Sequence, residues 1–211
     1  MARTRHADAP SLPGDGPQEG TRERLLRSAA ALLAERGYGQ TRLGDIAEAA
    51  GIRPPAIYYY FDSRDDLVAE VMHVGQQRVR EHVEHAIETA AGTWLDRIDA
   101  AVAAHLRIEL ELSYFAAAVS RNAGHVPPQI RNTLQEHSDA YHETWRRLLR
   151  GAHEAGELRD GLDPSIARML VIGALNWAVE WWTADRPVDQ LVENARSLVR
   201  SGLAAPPPGP H

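Results

Sequence analysis

Residues 38–67 constrain the fold of this chain more than any other stretch. They contain two short helical patterns separated by a turn at Gly51, followed by an aromatic cluster and a new helix start at Ser63. Helices of about seven residues are unstable alone, so both must pack on the helical pattern that precedes them. We therefore predict a compact three-helix head whose second short helix can enter the DNA major groove, as in a helix-turn-helix.

The outer face of the second short helix is predicted to contact DNA. Hydroxyl and guanidinium groups suit phosphate oxygens, which assigns Tyr58, Arg42 and Arg64 to the DNA backbone. Arg53, at the helix entrance, can donate a fork to guanine, and the apolar side chains after it can contact a thymine methyl. The alternative is that the tyrosines pack the head against the rest of the chain, and we prefer it for Tyr60-Phe61. The predicted DNA-binding residues are Thr41, Arg42, Arg53, Pro54, Pro55, Ala56, Tyr58, Tyr59 and Arg64.

The remaining sequence contains helical patterns and no β pattern, so we predict an all-α fold with a helix-turn-helix head and a larger helical body for ligand binding and dimerisation. The first helix is predicted to begin after an N-cap at Thr21 and to end at Gly37. Ser63 and Asp66 form an approximate capping pair. The other helices are predicted over about 41–51, 54–60, 63–91, 93–112, 113–122, 129–156, 163–184 and 188–203.

Four segments are predicted along the chain. Residues 1–20 form a disordered arm, whose Arg3 and Arg5 can follow a DNA backbone, although an uncommitted tail is the simpler interpretation. The predicted segments after the arm are a DNA-binding domain (21–67), an effector-binding and dimerisation domain (68–203) and a disordered tail (204–211).

Composition excludes several classes of protein. The chain has no cysteine, which rules out disulfide frameworks and cysteine-based metal sites. No signal peptide is recognisable and no apolar run reaches about 18 residues, so we expect a cytoplasmic protein that does not insert in a membrane. The net charge is −6, but residues 1–62 hold 8 Arg and 8 acidic residues, whereas residues 63–211 hold 15 Arg and 21 acidic residues. Charge therefore neither supports nor excludes DNA binding.

Residues 166–182 are apolar on nearly every side of a helix. Such a helix must face both a core and a further surface, and formation of a homodimer would supply that surface. Asn176 and Glu180 interrupt the pattern on one face. Either they bond within the helices or across the dimer, or they contact a ligand. Trp177 and Trp181 stand on the adjacent stripe, where large aromatic residues usually belong to a core.

A second set of side chains predicts an effector cavity in the body. Apolar residues repeat at helical spacing after Gln129 and around Leu106, and a cavity among them would be apolar with a few polar groups, as small-molecule sites are. The predicted effector residues are Leu106, Leu110, Tyr114, Tyr141, Trp145, Asn176, Trp177 and Glu180. Arg121 and the arginines at 146, 147 and 150 can meet the phosphates of such a ligand, or the latter can be a solvated charge run.

Residues 21–67 resemble the TetR family of transcriptional regulators. The family's pattern is present as Thr41, Ile46-Ala47, Ala50-Gly51-Ile52, Ile57-Tyr58-Tyr59-Tyr60-Phe61 and Ser63-Arg64-Asp65-Asp66-Leu67. The resemblance implies phosphate contacts by Tyr58 and Arg64, a two-fold dimer through the last two long helices, and two recognition helices about 34 Å apart on a near-palindromic operator. The chain departs from the family at Gly44, Arg53 and Ala56, positions that members often use to contact bases or backbone.

The C-terminal part is similar to KstR-like regulators of steroid breakdown, a subgroup of the same family. The similarity lies in Gly124-His125-Val126-Pro127 and Gly173-Ala174-Leu175-Asn176-Trp177. It implies a bulky hydrophobic effector such as an acyl-coenzyme A thioester. We expect effector binding in the body to shift the long helix that begins at Ser63, so that the dimer releases its operator; the two binding events must then be reciprocally linked.

Other functions are open at this stage. A drug-efflux regulator that responds to a hydrophobic drug is the alternative within the family, and an interaction protein with an inactive head is another. A metal-dependent enzyme is suggested by the pairs His82/His85 and His137/His142, but no third ligand cluster follows them. No nucleophile elbow, phosphate loop or nucleotide fingerprint is present, so we expect no catalytic residue, metal or cofactor.

Overall fold

The computed structural model describes residues 20–183 and 185–206, and most of them are helical. The helices are α1 (Thr21–Arg36), α2 (Leu43–Ala49), α3 (Arg64–Thr89), α4 (Trp94–Arg107), α5 (Tyr114–Asn122), α6 (Pro128–Thr133), α7 (Gln135–Glu154), α8 (Pro164–Trp181) and α9 (Val188–Leu203). A 3₁₀ turn (Tyr38–Gln40), a 3₁₀ helix (Pro54–Tyr59), here called the recognition segment, and a π-helix (Ile108–Leu112) complete them. The predicted all-α fold class is confirmed.

The helix-turn-helix belongs to a compact unit whose described residues are 20–79 and 108–138. The apolar residues of α1 are buried, and α5 packs directly against this helix. The core of the unit includes Leu25, Leu33, Ile46, Ile57, Phe61, Leu67, Met72, Phe115, Ala118 and Ile130. The short elements α2 and the recognition segment are thus stabilised by burial of Ile46, Ala47 and Ile57 in this core, as their length requires.

The described residues of the second compact unit are 80–107, 139–183 and 185–206. This unit contains α4, α7, α8 and α9. The Glu157 carboxylate accepts hydrogen bonds from the main-chain N–H groups of Trp94 (3.1 Å) and Leu95 (2.8 Å), and so caps α4. Arg200 of α9 donates to the carboxylates of Asp96 and Asp99 on α4. A main-chain bond from Thr93, together with the Arg200 bond, lowers the pKa of Asp96 to about 2.

Two helix starts were predicted with different success. The Ser63–Asp66 pair is confirmed, because the Ser63 hydroxyl donates to the Asp66 carboxylate at 2.8 Å and accepts from the Asp66 main-chain N–H at 3.1 Å. The predicted N-cap at Thr21 is wrong: Thr21 is the first helical residue, and the cap is Gly20.

Several predicted helix extents are wrong as well. The third helix is a 3₁₀ segment, which begins with two prolines that lack N–H donors. The 93–112 helix widens into a π-turn at Ile108, which helical periodicity cannot distinguish from an α-helix. The 129–156 helix is divided at Leu134, where the Thr133 hydroxyl binds the Ile130 carbonyl at 2.7 Å and tightens the turn. The last but one helix ends at Trp181 rather than residue 184 because Trp182 is extended.

The predicted disordered arm, with Arg3 and Arg5, lies outside the described residues except for Gly20, and so does the tail from residue 207 onward. Within the described residues, no helix has the length and apolar character needed to cross a membrane.

Candidate functional site

The turn between α2 and the recognition segment depends on Gly51. Its φ of 67° lies in the left-handed region, where a side chain would be strained. The Ile52 N–H donates to the Ala47 carbonyl at 2.9 Å, which closes the turn, and the Ala50 N–H donates to Ile46 at 2.9 Å. These bonds fix the direction in which the recognition segment leaves α2.

The recognition segment presents one buried side chain and a broad exposed face. Ile57 is fully buried, whereas Tyr58 is 60% exposed and Tyr59 is 86% exposed. Five other predicted contacts are also exposed: Arg42, which precedes α2, and Arg53, Pro54, Pro55 and Ala56 at the start of the recognition segment. As preferred from the sequence, Phe61 is in the core and Tyr60 is half-buried against it.

Thr41 and Arg64 do not belong to this face. Thr41 is 1% exposed, and its hydroxyl donates to the Gly37 carbonyl at 2.8 Å. The Arg64 guanidinium donates to the main-chain oxygens of Thr41 (2.8 Å) and Tyr38, and it lies 4.1 Å from the centre of the Tyr38 ring. Both side chains therefore bind the segment that precedes α2.

Tyr38 belongs to that segment and has hydrogen-bond partners on two other elements. Its hydroxyl donates to Asp65 at 2.8 Å, and its main-chain N–H donates to the Asn122 side chain at 2.5 Å. The pKa of Tyr38 is raised, mainly by partial burial and also by the hydrogen bond to Asp65. Asn122 was not predicted as a site residue, and nothing in the local sequence around it signals this contact.

The interior of the second unit contains three of the predicted effector residues. Leu106 and Trp145 are buried, and Tyr141 stands between His105 and Trp145. The distance between the Tyr141 hydroxyl and His105 Nδ1 is 2.6 Å. The Trp145 indole N–H is buried and has no hydrogen-bond partner among the described residues.

A buried arginine adds charge to the same unit. Arg168 of α8 is 8% exposed and donates to His142 Nδ1 of α7 at 2.7 Å. Burial and the neighbouring Arg168 lower the pKa of His142. The imidazole is therefore held neutral as a hydrogen-bond acceptor.

Asn176, Trp177 and Glu180 are exposed on α8. Because both Asn176 and Glu180 are exposed in the single chain, a partner for either would come from a second subunit or a ligand, and these two alternatives stay predictions. Both residues stand beside a row of exposed apolar side chains, which we call the α8 face: Ile166, Met169, Leu170, Trp177 and Trp181. The other two predicted effector residues, Leu110 and Tyr114, belong to the first unit, where Tyr114 packs against the core.

An open cleft of about 570 Å³ in the second unit was not predicted. Its lining comes from the end of α3 and from α4 and α7: Glu84, Ile87, Glu88, Trp94, Arg97, Thr144, Arg147 and Leu148. Glu84 already accepts a hydrogen bond from Thr144 at 2.8 Å and lies 3.9 Å from Arg147. This mixed-charge lining does not suit a hydrophobic effector.

The histidines considered as metal ligands in the sequence contact other side chains in the structure. His137 packs edge-on against His73 at 4.2 Å, and His142 is bonded to Arg168. Burial, with His85 nearby, lowers the pKa of His82. In the part of the chain that the structure describes, no three His or carboxylate residues are grouped so as to hold a metal ion.

Comparisons with known proteins agree with this geometry. The model of bacterial regulatory proteins of the tetR family matches residues 25–71, and that of the tetracyclin repressor-like C-terminal domain matches residues 91–203. The HTH-type transcriptional repressor KstR2 of Rhodococcus jostii (strain RHA1) is 30% identical over 200 residues, which cover 90% of this chain and 94% of the repressor.

Two solved structures share the fold. AibR, in complex with isovaleryl coenzyme A and operator DNA, has a TM-score of 0.76 at 18% identity, over 85% of this chain and 97% of its own. FadR of Bacillus subtilis, in complex with stearoyl-CoA, has a TM-score of 0.71 at 21% identity, over 85% of this chain and 97% of its own. The family models and the repressor cover both the head and the body, so this chain belongs to the TetR family of ligand-responsive, helix-turn-helix transcriptional regulators.

Proposed function

We propose that the chain is a repressor that binds a near-palindromic operator as a homodimer and leaves it when an acyl-coenzyme A thioester binds. The observation that carries the DNA-binding part is the exposed face of the recognition segment, where Tyr58 and Tyr59 stand open on a buried Ile57 anchor. Neither side chain belongs to the core of the unit, and neighbouring aromatic rings exposed on a short segment are typical of an interaction surface.

The proposed DNA contacts divide into two kinds. Arg42 and the Tyr58 hydroxyl bind phosphate oxygens and set the position on the duplex. Arg53 reads guanine, and the apolar surface of Pro54, Pro55 and Ala56, with Tyr59 beside it, contacts base edges and thymine methyls. Since the groups of Thr41 and Arg64 are used inside the head, we reassign both residues from direct contacts to support of the segment before α2.

The α8 face supports a homodimer. Leu170 is 70% exposed, Trp177 64% and Ile166 61%, and Leu198 of α9 adds a side chain that is 77% exposed. Burying a leucine-sized side chain contributes about 1.5–3 kcal/mol. A two-fold interface would bury each of these side chains in both subunits. The dimer would separate its two recognition segments by about 34 Å, the spacing of successive major grooves. Asn176, Trp177 and Glu180 then belong to the subunit interface rather than to the effector site.

The effector site is proposed around Leu106, Tyr141 and Trp145. An apolar interior with a few polar groups suits a hydrophobic ligand. The Trp145 N–H, which has no acceptor among the described residues, suits a ligand that carries a carbonyl oxygen, because a buried donor without a partner destabilises the chain by about 1–3 kcal/mol. A thioester supplies such an oxygen, and the fold is shared with AibR and FadR, which were crystallised with coenzyme A thioesters.

The test begins with the DNA. Wild-type protein selects duplexes from a random pool, and fluorescence anisotropy then compares the selected duplex with a scrambled one. The proposal predicts two chains per selected duplex and preferential binding to it. Isovaleryl-CoA and stearoyl-CoA are then titrated into the complex, with free coenzyme A and the free acids as controls, and a thioester should weaken binding about 5–150-fold.

Each step of this experiment has an outcome against the proposal. Failure to select any sequence would remove operator binding. Release by hydrophobic drugs but not by thioesters would replace the effector class with that of an efflux regulator. Release by coenzyme A alone would move the effector site away from the apolar interior.

A further inference from the structure

The carboxyl end of α1 is bound by two side chains from the end of α5. The Asn122 amide nitrogen donates to the Leu33 carbonyl at 3.1 Å, and its oxygen accepts from the Tyr38 N–H at 2.5 Å. The Arg121 guanidinium donates to the Ala34 carbonyl at 2.9 Å. Asn122 is fully buried, so its own side-chain bonds are shielded from water.

Helix ends usually satisfy their last carbonyls locally or with water. Here the Gly37 N–H bonds to Leu33, which is a local cap, but the Ala34 carbonyl and the Tyr38 N–H are satisfied by residues that are 87 and 84 positions later in the chain. The geometry of the turn after α1 therefore depends on where α5 stands.

The same turn carries the helix-turn-helix. Tyr38 is stacked under the Arg64 guanidinium, and Arg64 binds the Thr41 carbonyl at the entrance to α2. Thr41 in turn binds back to Gly37. A continuous set of contacts thus runs from Asn122 through Tyr38 and Arg64 to the start of α2.

Two further polar contacts involve α5. The Ser113 hydroxyl caps the helix by accepting from the Ala116 N–H at 3.3 Å. Glu109, in the π-helix just before it, is buried and accepts from Ser120 at 2.5 Å. Ser120 lies near the same end of α5 as Arg121 and Asn122, so this end of the helix is hydrogen-bonded both to the π-helix and to α1.

We propose that Asn122 and Arg121 are positioning residues for operator binding. They touch no DNA; they set the turn of residues 37–41, and through it the orientation of α2 and the recognition segment. The inference rests on the proposed function in one respect, sequence-selective binding of duplex DNA. It also reassigns Arg121, which the sequence suggested as a phosphate ligand of an effector, to the support of α1.

The experiment compares Asn122→Ala and Arg121→Ala with wild type. Arg121→Lys keeps a donor for the Ala34 carbonyl and should restore most of the affinity. Ile130→Val removes one buried methyl from the same core without touching the turn, and serves as the control for general loss of stability. Binding is measured by anisotropy on the wild-type-selected duplex and on a scrambled duplex, with the active fraction determined by stoichiometric titration.

For Asn122→Ala, we expect at least about a tenfold rise in the Kd for the selected duplex, equivalent to about 1.4 kcal/mol, and less than a twofold change for the scrambled one. Hydrogen exchange of the Tyr38 amide should be faster, because its acceptor is gone. Ile130→Val should leave both the Kd ratio and the Tyr38 exchange unchanged.

Equal operator affinity of folded Asn122→Ala and wild type would overturn this inference alone. So would a lower active fraction with an unchanged Kd per active molecule, because that is the result of a merely structural role. If Asn122→Ala does not fold, Arg121→Ala and its lysine counterpart decide by the same criteria. A wild-type protein that selects no sequence would overturn the proposed function, and this inference with it.

Discussion

The Nε–H of Arg64 donates to the main-chain oxygen of Thr41 at 2.8 Å, while the rest of its guanidinium lies against the Tyr38 ring. An arginine at the start of a helix beside a DNA-binding element would ordinarily be taken as a phosphate ligand. Its donors are instead directed at carbonyl groups of the same head. The two roles make different predictions for the dependence of DNA binding on salt.

Arg64→Gln should weaken operator binding while leaving the salt dependence unchanged, because no phosphate contact is lost. Arg42→Gln, which removes an exposed charge proposed to touch phosphate, should reduce the slope of log K against log salt concentration by about one. The measurement is anisotropy between about 50 and 200 mM salt. If Arg64→Gln also lowers the slope by about one, Arg64 is a direct phosphate ligand after all.

Tyr58→Phe should weaken binding to the selected and to the scrambled duplex alike. The lost hydrogen bond involves a charged phosphate and is worth about 1.5–3 kcal/mol, which corresponds to roughly ten- to a hundredfold in Kd. Tyr60→Phe is the matched control, since Tyr60 is half-buried and packs edge-on against Tyr59. A loss confined to the selected duplex would mean that Tyr58 reads bases rather than phosphate.

Features encoded by neighbouring residues could be predicted from the sequence. The turn at Gly51 and the Ser63–Asp66 cap each depend on residues within a few positions of one another. The division at Leu134 and the π-turn at Ile108 could not be predicted, because an apolar repeat continues through both. Periodicity reports which face is apolar, not whether the backbone between two turns is regular.

Contacts between positions far apart in the chain could not be predicted from the sequence, for a different reason. Asn122 and Leu33 are 89 positions apart, and no local pattern joins them. For Arg64, the residue type allowed both a phosphate and a carbonyl partner, so only the surrounding geometry could decide. The apolar pattern of residues 166–182 predicted that α8 carries apolar side chains beyond those of the core, and five of them are exposed. The partners of Asn176 and Glu180 stay a prediction, because both side chains are exposed in the single chain.

Leu170→Glu should dissociate the proposed dimer. The change removes an apolar side chain that is 70% exposed on the α8 face and would bring two carboxylates together across a two-fold axis. Two lost leucine contacts amount to at least about 3 kcal/mol, or roughly a hundredfold in the dimer Kd. Sedimentation equilibrium should give twice the chain mass of 23.3 kDa for wild type and a shift towards that mass for the variant.

Ala155→Glu is the control, because it puts the same charge on an exposed position after α7. This variant should sediment with the same dimer mass as wild type. A wild-type chain that sediments as a monomer at all concentrations would contradict the dimer, whatever the variants do.

The free energy of unfolding should decrease as the pH is lowered below about 6.5, in part because of His142. Burial and Arg168 lower the pKa of His142 in the folded chain below its unfolded value, with Arg146 acting in the same direction and Asp139 against it. The unfolded chain therefore binds the proton first as pH falls, and stability is lost from about 6.5 down through the folded pKa.

His142→Asn keeps an acceptor for Arg168 and does not titrate. Urea unfolding of both proteins between pH 5 and 7, at one protein concentration, should give a shallower dependence for the variant, by at most one proton. Identical slopes would show that His142 titrates normally.

Gly75→Ala should destabilise the chain, although alanine normally stabilises a helix interior relative to glycine by about 0.8–1.0 kcal/mol. A β-carbon at this buried position of α3 would overlap the Phe115 carbonyl oxygen and lie 2.5 Å from a methyl group of Val119. Forcing α5 away should cost about 1–3 kcal/mol, which exceeds the gain in propensity. Gly44→Ala in α2 meets nothing within 4 Å and should be neutral or stabilising by up to about 1 kcal/mol. Urea unfolding of the two variants checks the pair, and a Gly75→Ala protein that matches or exceeds wild type in stability would mean that α5 does not pack against α3 at this position.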